Sequence, residues 1–200
     1  MNKPFSQACE NNKQPILNIL AKVFSNKKHI FEIGSGTGQH AVFFAQHLPH
    51  LTWQTSDLAT NHAGINKWLD ESVATNIAKP IVADLNKPWP VPLSNLRVDG
   101  IYTANTLHII SWSLVVNFFE GIAKNVEPKA SVCIYGPFNY QGQFTSESNA
   151  NFDLWLKDRD QNSGIRDIEA ILSLAKASGL ELIDDHTMPA NNRLLVFSKI

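Results

Sequence analysis

The chain has 200 residues, of which 44% are hydrophobic and 18% are charged, and its formal net charge is −1. This length suits a single domain, because one hydrophobic core serves chains of up to roughly 250 residues. The composition is that of a globular protein and excludes a disordered one. Neither half carries a long basic run, which argues against a nucleic-acid partner and favours a small-molecule substrate.

The cysteines and the apolar segments indicate where the protein works. Cys9 and Cys133 are far apart in the sequence, and neither belongs to a CxxC or other metal-ligand spacing. The first residues lack the apolar stretch of a secretory signal peptide, and no apolar run approaches the roughly 20 residues that span a bilayer. We therefore expect reduced thiols, a cytoplasmic location, no bound metal and no membrane partner.

Helix-like and strand-like patterns alternate from the N-terminus onward. The first half predicts a leading helix over 15–24 with Pro15 in its first turn, a strand over 29–34, a helix over 38–48, a strand over 51–57 and a helix over 61–73 with Asn61 as N-cap. A strand over 79–85, a proline-rich loop over 86–96, a strand over 98–105, a helix over 111–126 capped by Ser111 and a strand over 130–138 follow. Strands separated by helices predict an α/β fold with a mostly parallel sheet and helices on both faces.

The last third of the chain departs from this alternation. A polar stretch over 138–149 precedes two helical segments, 152–160 and 165–179, and two strands, 180–188 and 193–199, that are separated only by PANN. So short a connection cannot hold a crossover helix, so these strands are expected to pair antiparallel. The whole chain then forms one domain, 1–200, whose mostly parallel sheet ends in an antiparallel hairpin.

Three glycines follow the first strand in HIFEIGSGTGQHAVFF, residues 29–44. Gly34, Gly36 and Gly38 lie beyond the carboxyl end of that strand, where open parallel sheets bind ligands, and glycine lets the backbone adopt positive φ and approach a ligand. A dinucleotide fingerprint needs its third glycine one residue later, and the P-loop needs Gly-Lys-Ser/Thr, which is absent. A tight turn that binds no ligand is the alternative interpretation.

The remaining pattern, G-x-G-x-G preceded by Glu32 within the strand, resembles motif I of the class I S-adenosylmethionine-dependent methyltransferases. In that superfamily the glycines approach the amino-acid and ribose parts of the cofactor. The resemblance thus implies S-adenosylmethionine as cofactor, with Glu32, Gly34, Gly36 and Gly38 in its site. It also implies a Rossmann-like fold with a seven-stranded sheet, which agrees with the antiparallel hairpin predicted at the C-terminus.

The resemblance continues along the next strands. Asp57 closes the second strand about 20 residues after the glycines, where an acidic residue accepts hydrogen bonds from the ribose hydroxyls. Asp84 follows the third strand and corresponds to the acidic residue near the adenine amino group, with the amide of Leu85 beside it. Asn105 follows the fourth strand and is expected to orient the bound cofactor.

A closer resemblance covers essentially the whole chain. The segments NNKQPILNIL, ANTLHIISW, YGPFNYQGQFTSESNANFD and GIRDIE, together with the glycine turn, resemble the family that includes methyltransferase-like protein 26. The most specific of these pieces is YGPFNYQGQFTSESN. That resemblance implies the fold and the cofactor but supplies no acceptor.

Several polar residues are candidates for the substrate side. His108 is a candidate for proton transfer, with a merely packed and hydrogen-bonded histidine as the alternative, and Tyr140 is a second catalytic candidate. Asn139 and Tyr140 follow the fifth strand, where a substrate would enter, although a plain turn fits the same sequence. Asn12 is also expected on the substrate side, because N-terminal segments of this superfamily often fold over the pocket. The same position over the pocket is expected for Phe5 and Asn11.

The sequence also predicts roles for residues 139–151, for Arg166 and Asp167, and for the tryptophans. Residues 139–151 are long and polar for a connector, with Gly142 as a hinge, and are expected to form a substrate-side lid. Arg166 and Asp167 are read as a solvated helix cap rather than a catalytic pair. The tryptophans are read as core or interface residues and not as a stacking platform.

Three function classes remain after this reasoning. A small-molecule methyltransferase is preferred. A non-catalytic or regulatory S-adenosylmethionine-binding protein on the same fold is the main alternative, since a fold does not fix a function. A nucleotide-dependent oxidoreductase is disfavoured by the glycine spacing. The absence of a basic patch and of an N-P-P-Y or D-P-P-Y motif argues against methylation of nucleic acids.

Overall fold

The computed structural model describes residues 3–90 and 97–200, so residues 91–96 of the predicted proline-rich loop lie outside the described residues. A seven-stranded sheet has the order β3-β2-β1-β4-β5-β9-β8. Its strands are β1 (His29–Glu32), β2 (Thr52–Asp57), β3 (Ile77–Val82), β4 (Gly100–Ala104), β5 (Ser131–Gly136), β8 (Leu180–Met188) and β9 (Asn192–Lys199). β6 (Phe138–Asn139) and β7 (Arg166–Asp167) pair in a separate two-stranded sheet.

Six α-helices accompany the strands among the described residues. They are α1 (Gln7–Val23), α2 (Gln39–His47), α3 (His62–Asp70), α4 (Trp112–Asn125), α5 (Glu147–Arg159) and α6 (Ile168–Ala177). The predicted α/β class, the mostly parallel seven-stranded sheet and the antiparallel C-terminal hairpin are confirmed. Within residues 3–90 and 97–200, no helix has the length and apolar character needed to cross a membrane.

The chain separates into two compact units, Met1–Thr103 and Ala104–Ile200. The prediction of a single domain over 1–200 stays a prediction. In the first unit, β1 lies between two parallel partners, with Ile30 opposite Trp53 of β2 and opposite Gly100 of β4. A Cβ atom on Gly100 would lie 2.3 Å from the Ile30 side chain, so only glycine fits beside this buried strand. Phe44, Trp53 and Tyr102 complete an aromatic core with ring centroids 5.4 to 5.7 Å apart.

The first helix begins earlier than predicted. It starts at Gln7, after Ser6, whose hydroxyl accepts a hydrogen bond from the Cys9 amide at 3.3 Å, and Pro15 lies inside it. The prediction that Pro15 occupies the first turn is therefore wrong. Apolar periodicity begins only at Ile16, and the two preceding turns are mostly polar, so side-chain capping rather than hydrophobic burial sets the start of this helix.

The second unit contains β5, β9 and β8 as an antiparallel group, in which Gly136 of β5 lies opposite Arg193 of β9. The hairpin between β8 and β9 turns through a short 3-10 segment, Pro189–Asn191. α5 begins five residues before its predicted start, because Ser146 caps it by accepting a hydrogen bond from the Asn149 amide at 3.1 Å. The stretch 139–151 is consequently not an unstructured loop, since its second half begins this helix.

Candidate functional site

The glycine turn connects β1 to α2 in the first unit. Gly34, Gly36 and Gly38 have φ values of 75°, 57° and 89°, in the left-handed region that residues with a Cβ rarely adopt. The amides of Gly34 and Ser35 both donate to the Ser56 carbonyl oxygen, at 3.1 and 2.9 Å, which fixes the turn against the end of β2. A Cβ atom on Gly36 would meet no atom within 4 Å, so the turn faces open space at this position.

The Asp57 carboxylate lies against this turn. Its Oδ2 accepts a hydrogen bond from the Gly36 amide at 2.7 Å, and its Oδ1 accepts from the Leu58 amide and from Asn61 Nδ2, each at 2.7 Å. Asn61 stands at the N-cap position of α3 as predicted, but its side chain orients Asp57 instead of capping the helix. The acidic residue that closes β2 is thus brought to the glycine turn, as the sequence predicts.

Glu32 supports the turn from inside the sheet. Its side chain is buried, and Oε2 accepts hydrogen bonds from Ser35 Oγ at 2.8 Å and from Trp53 Nε1 at 3.1 Å. Burial raises the pKa of Glu32 to about 7, against the opposing effect of these two hydrogen bonds, and the nearby Asp57 raises it further. Glu32 therefore links the turn to β2, and its role as a cofactor ligand stays a prediction.

A narrow recess follows β3 in the same unit. Its lining is mostly apolar, with one carboxylate: Phe31, Ile33, Ala83, Asp84, Leu85, Trp89 and Pro90. The Asp84 carboxylate accepts hydrogen bonds from the Asn86 amide at 3.0 Å and from Asn86 Nδ2 at 3.2 Å, and the backbone bond is the main cause that lowers the Asp84 pKa. Asp84 and Leu85 are thereby brought to one recess.

Trp89 is a lining residue that the sequence did not single out for this recess. Its ring lies edge-on to Phe31 of β1, with centroids 5.7 Å apart, and only 5% of the residue is exposed. An aromatic side chain between Pro88 and Pro90, shortly after an acidic strand end, is the signal that could have identified it. With so little exposure, Trp89 is a core residue, as the sequence predicts for the tryptophans.

Asn12 belongs to a buried polar chain in the first unit. Its Oδ1 lies 2.6 Å from His40 Nε2, and His40 Nδ1 lies 3.3 Å from the Tyr102 hydroxyl. Because Asn12 Oδ1 can only accept, His40 carries its proton on Nε2 and accepts from Tyr102 at Nδ1. Burial lowers the pKa of His40 to about 4, so this chain is neutral at physiological pH. The Asn12 oxygen is therefore committed to protein structure, and its substrate-side role stays a prediction.

The N-terminal residues before α1 are held by α2 and α3. The Ser6 amide donates to Gln39 Oε1 at 2.5 Å, and Gln39 Nε2 donates to the Ser6 carbonyl oxygen at 3.3 Å. Trp68 Nε1 donates to the Pro4 carbonyl oxygen at 2.7 Å. Phe5 is 61% exposed, and Asn11 Oδ1 accepts only from Gln7 Nε2 at 2.9 Å. The segment is thus ordered next to α2, the helix that follows the glycine turn. From the sequence alone, a frayed N-terminus is the alternative.

In the second unit, the loop 105–110 follows β4. Asn105 has φ 55°, and its amide donates to the Tyr135 carbonyl oxygen at 2.9 Å, so the loop is fixed to β5. His108 is buried, and its ring packs edge-on against Phe152 with centroids 5.4 Å apart. A Cβ atom on Gly136 would lie 3.4 Å from His108 Nδ1, so the His108 ring lies close to the end of β5. Burial, together with the charge of Arg166, lowers the pKa of His108 to about 4.

Arg166 holds the loop 105–110 in place through hydrogen bonds. Its Nε donates to the Leu107 carbonyl oxygen at 3.0 Å, and one terminal nitrogen donates to the carbonyl oxygens of Ile110 at 2.5 Å and Asn162 at 2.9 Å. The interpretation of Arg166 as a solvated helix cap is wrong, because the residue lies in β7 and is half-buried, and burial lowers its pKa. Nothing in the sequence pattern distinguishes it from a surface arginine.

Asn139 and Tyr140 come directly after β5 in the same unit. Asn139 is buried, and its Oδ1 has no hydrogen-bond partner within the described part of the chain. The Tyr140 hydroxyl donates to Asp185 Oδ2 at 2.7 Å, and burial together with this carboxylate raises the Tyr140 pKa. Tyr140 is therefore a neutral phenol at physiological pH, and Asn139 retains an unused acceptor.

The sequence profile of the family described as "Protein of unknown function (DUF938)" matches residues 3–199. The chain belongs to the DUF938 family. That assignment covers the glycine turn, Asp57, the recess after β3 and the loop 105–110 alike. The family description itself assigns no activity.

The DUF938 chain also resembles solved structures. An O-methyltransferase family protein from Burkholderia thailandensis superposes with a TM-score of 0.80 at 16% identity, over 94% of this chain and 56% of its own. An O-methyltransferase family 2 protein from Planctomyces limnophilus in complex with apigenin gives 0.79 at 14%, over 96% and 58%. Mitomycin 7-O-methyltransferase MmcR gives 0.75 at 17%, over 92% and 54%. The DUF938 chain spans a little over half the length of these structures and shares their Rossmann-like methyltransferase fold.

Proposed function

We propose that this protein is an S-adenosylmethionine-dependent methyltransferase that acts on a small-molecule acceptor. The observation that carries the proposal is the Asp57 carboxylate, which is held at 2.7 Å from the Gly36 amide at a turn of three glycines with positive φ. A turn that merely joined a strand to a helix would need neither a buried carboxylate on its inner face nor open space above Gly36.

The residues of the first unit fit the parts of this cofactor. Asp57 Oδ2 accepts one protein hydrogen bond and keeps a site for a ribose hydroxyl. Asp84 and Leu85, after β3, are proposed to contact the adenine, and the recess that they line with Phe31 and Trp89 has no room for the ring itself. Gly36 leaves the backbone open toward the rest of the cofactor, whereas a Cβ atom on Gly38 would lie 3.2 Å from the Ile65 Cα. Gly34 and Gly38 are proposed as cofactor residues from their place in the turn. Asn105 is proposed as a further cofactor residue from its position after β4.

The chemistry needs alignment more than acid or base groups. S-adenosylmethionine, when bound, supplies a methyl group on a sulfonium that an acceptor displaces in line. The protein's task is to orient the acceptor and to exclude water. His108, neutral with a pKa of about 4, is a weak base and suits hydrogen bonding to an acceptor hydroxyl better than removal of its proton. Tyr140 is a hydrogen-bonding residue on the same reasoning.

Methyl transfer to a small molecule is also supported by the names of the similar structures, several of which are O-methyltransferases. Their acceptors are not carried over, because identity is 12 to 18% across the compared structures and this chain matches only part of each one. The cytoplasmic location and the resemblance to the family of methyltransferase-like protein 26 belong to this proposal as well. An S-adenosylmethionine-binding regulator is the second candidate, favoured by the low pKa of His108 and the protonated state of Tyr140.

Incubation of the purified protein with methyl-labelled S-adenosylmethionine and a metabolite extract tests the proposal. We expect a labelled small-molecule product from the wild-type protein and little from Asp57→Ala at the same protein concentration. Asp70→Ala, which removes an exposed carboxylate at the end of α3, is the matched control and should form product normally. Proven cofactor binding with no product from several extracts would favour the regulator, and absence of cofactor binding would refute both.

A further inference from the structure

A cavity of about 310 Å³, lined by residues that carry polar groups, opens in the second unit and has no role in the proposed cofactor site. Its size is within the range of pockets for small organic ligands. The lining comes from the turn after β6 and from the hairpin of β8 and β9: Tyr140, Thr145, Thr187, Asn191, Asn192 and Arg193.

The cavity lies at the end of the sheet where ligands are expected. Arg193 is opposite Gly136, the last residue of β5, and Tyr140 follows β5 by four residues. The loop 105–110 reaches the same strand end through the bond between the Asn105 amide and the Tyr135 carbonyl oxygen. Ligands of open α/β sheets bind beyond the carboxyl ends of the strands.

The lining offers unused hydrogen-bond donors beside the side-chain oxygens of Asn191 and Asn192. Arg193 donates through Nε to Asp185 Oδ1 at 2.7 Å, through one terminal nitrogen to Thr187 Oγ1 and through the other to the Asp185 carbonyl oxygen at 2.8 Å. The guanidinium also forms a hydrogen-bond contact with the Tyr140 hydroxyl. A guanidinium has five N–H groups, so one is left without an acceptor among the described residues.

The threonine hydroxyls add to this set. Thr187 Oγ1 accepts from Arg193, and Thr145 Oγ1 accepts from Asn149 Nδ2 at 2.9 Å. Each hydroxyl proton is left without an acceptor in the described part of the chain. Donors from three separate segments, at Thr145, Thr187 and Arg193, therefore border one cavity.

The backbone around the cavity is held in an unusual shape. Gln141, Ala190 and Asn191 have φ values of 54° to 56° although none is glycine. The hairpin turn is tied to the start of α5, because Asn149 Nδ2 donates to the Asn191 carbonyl oxygen at 3.1 Å and Asn191 Nδ2 donates to Ser148 Oγ at 3.1 Å. These bonds join the hairpin turn, which carries Asn191, to the start of α5, which follows Thr145.

We propose that this cavity binds the carboxylate group of an organic acid and that this acid is the methyl acceptor. A carboxylate offers two oxygens with about four acceptor sites, which can accept the remaining guanidinium N–H and the two threonine hydroxyl protons. Asp185 neutralises part of the Arg193 charge, so the site takes one carboxylate and not a more highly charged anion. The assignment of the acid as acceptor rests on the proposed function, whereas carboxylate binding does not.

Benzoate and benzamide form a matched pair of probes, since they differ only in the group that the cavity is proposed to bind. Each is titrated into ¹⁵N-labelled protein without cofactor while amide resonances are followed by NMR. We expect benzoate to shift the amides of Thr145, Thr187 and Arg193, and benzamide to bind at least several-fold more weakly.

Variants distinguish a carboxylate-binding site from a set of hydrogen bonds that only stabilises the fold. Thr187→Val removes one donor and should weaken benzoate binding about tenfold, and Thr145→Val gives a second reading if the first variant fails to fold. Thr52→Val, at an exposed position in β2, should bind as the wild type does. Asp185→Asn should strengthen benzoate binding, because it removes an opposing charge and leaves Arg193 in place. If these hydrogen bonds only stabilise the fold, Asp185→Asn should not strengthen benzoate binding.

Equal binding of benzoate and benzamide, shifts elsewhere in the protein, or no shifts at all would overturn the carboxylate site. Benzoate binding without any response to S-adenosylmethionine would keep the site and refute the proposed function. Cofactor binding without a benzoate response would support the proposed function and refute the carboxylate site.

Discussion

The carboxylates of the first unit differ in how many hydrogen bonds the protein already gives them. Asp57 Oδ1 accepts two hydrogen bonds, and among the described residues Oδ2 accepts one, from the Gly36 amide, which faces open space. Glu32 accepts two, from Trp53 and Ser35, but it is buried inside the sheet. A ligand hydroxyl can therefore join Asp57 without displacing a protein donor, and this capacity underlies its proposed role.

Asp57→Ala should lower the affinity for S-adenosylmethionine by about 1 to 3 kcal/mol, the range for partners left unmatched in a buried site. The variant should still fold, because the glycine turn keeps its bonds to Ser56. Calorimetric titration measures the change, with Asp70→Ala as control. Unchanged affinity in a folded Asp57→Ala variant would show that the carboxylate does not contact the ligand.

Glu32 should make stability depend on pH. Its pKa in the folded state is about 7 against an ordinary value of 4.5, so its favourable contribution is complete below pH 4.5 and is lost as pH rises through 7. Glu32→Gln cannot ionise. The free energy of unfolding of this variant, relative to wild type, should therefore rise by about 3 kcal/mol between these limits.

Urea unfolding at a series of pH values tests this expectation. Glu120→Gln, which removes an exposed carboxylate of α4, is the control and should follow the wild-type pH dependence. Parallel curves for Glu32→Gln and wild type would mean that the Glu32 carboxylate is already ionised when buried.

Tyr140 should act on the acceptor and not on the cofactor. Tyr140→Ala is expected to leave S-adenosylmethionine affinity nearly unchanged and to lower turnover once an acceptor is known, because a misplaced acceptor reacts slowly. Tyr140→Phe removes the hydroxyl, with its contacts to Asp185 and Arg193, but keeps the ring and should have the smaller effect. Full turnover by the alanine variant would make the turn after β6 a structural connector.

At the scale of elements, the loop 105–110 depends on β7. Arg166 donates to the carbonyl oxygens of Leu107 and Ile110, at the two sides of His108. Arg166→Leu should lower the free energy of local opening of this loop by about 1 to 3 kcal/mol, since these carbonyls lose charge-assisted bonds.

Hydrogen exchange of the Ile109 and Ile110 amides, which donate to the Thr106 carbonyl oxygen, reports that opening. Arg159→Leu, at the exposed end of α5, is the matched control. Faster exchange confined to the loop is the expected result. Equal acceleration throughout the second unit would instead indicate global destabilisation.

Apolar periodicity predicted the elements whose position is set by burial. The strands β1, β2 and β5 follow from it because most of their residues are buried. In the C-terminal hairpin β9 is buried along its middle, whereas β8 is buried only at its two ends. It missed the starts of α1 and α5, which are fixed by the hydroxyls of Ser6 and Ser146 over polar first turns.

Within the site, the sequence predicted the groups whose spacing along the chain is regular. The glycines and Asp57 come together as expected, because consecutive parallel strands end at one edge. The loop contact of Arg166 and the bond of Tyr140 to Asp185 join residues 45 to 59 positions apart without any pattern. Such contacts depend on tertiary packing that one sequence does not reveal.

At the scale of the whole molecule, the methyltransferase fold alone does not decide the function, because related folds bind dinucleotides with a similar turn. The glycine spacing is the feature that separates the two. Gly38 ends the turn one residue before the position of the third glycine in a dinucleotide fingerprint, and Gln39 begins α2. The ligand of the turn is therefore the central claim.

Isothermal titration calorimetry of the full chain with S-adenosylmethionine, its demethylated product and NADH tests that claim most directly. We predict saturable binding of the first two, weakened in Asp57→Ala, and no heat of binding with NADH. Tight binding of NADH with no response to S-adenosylmethionine would contradict the account.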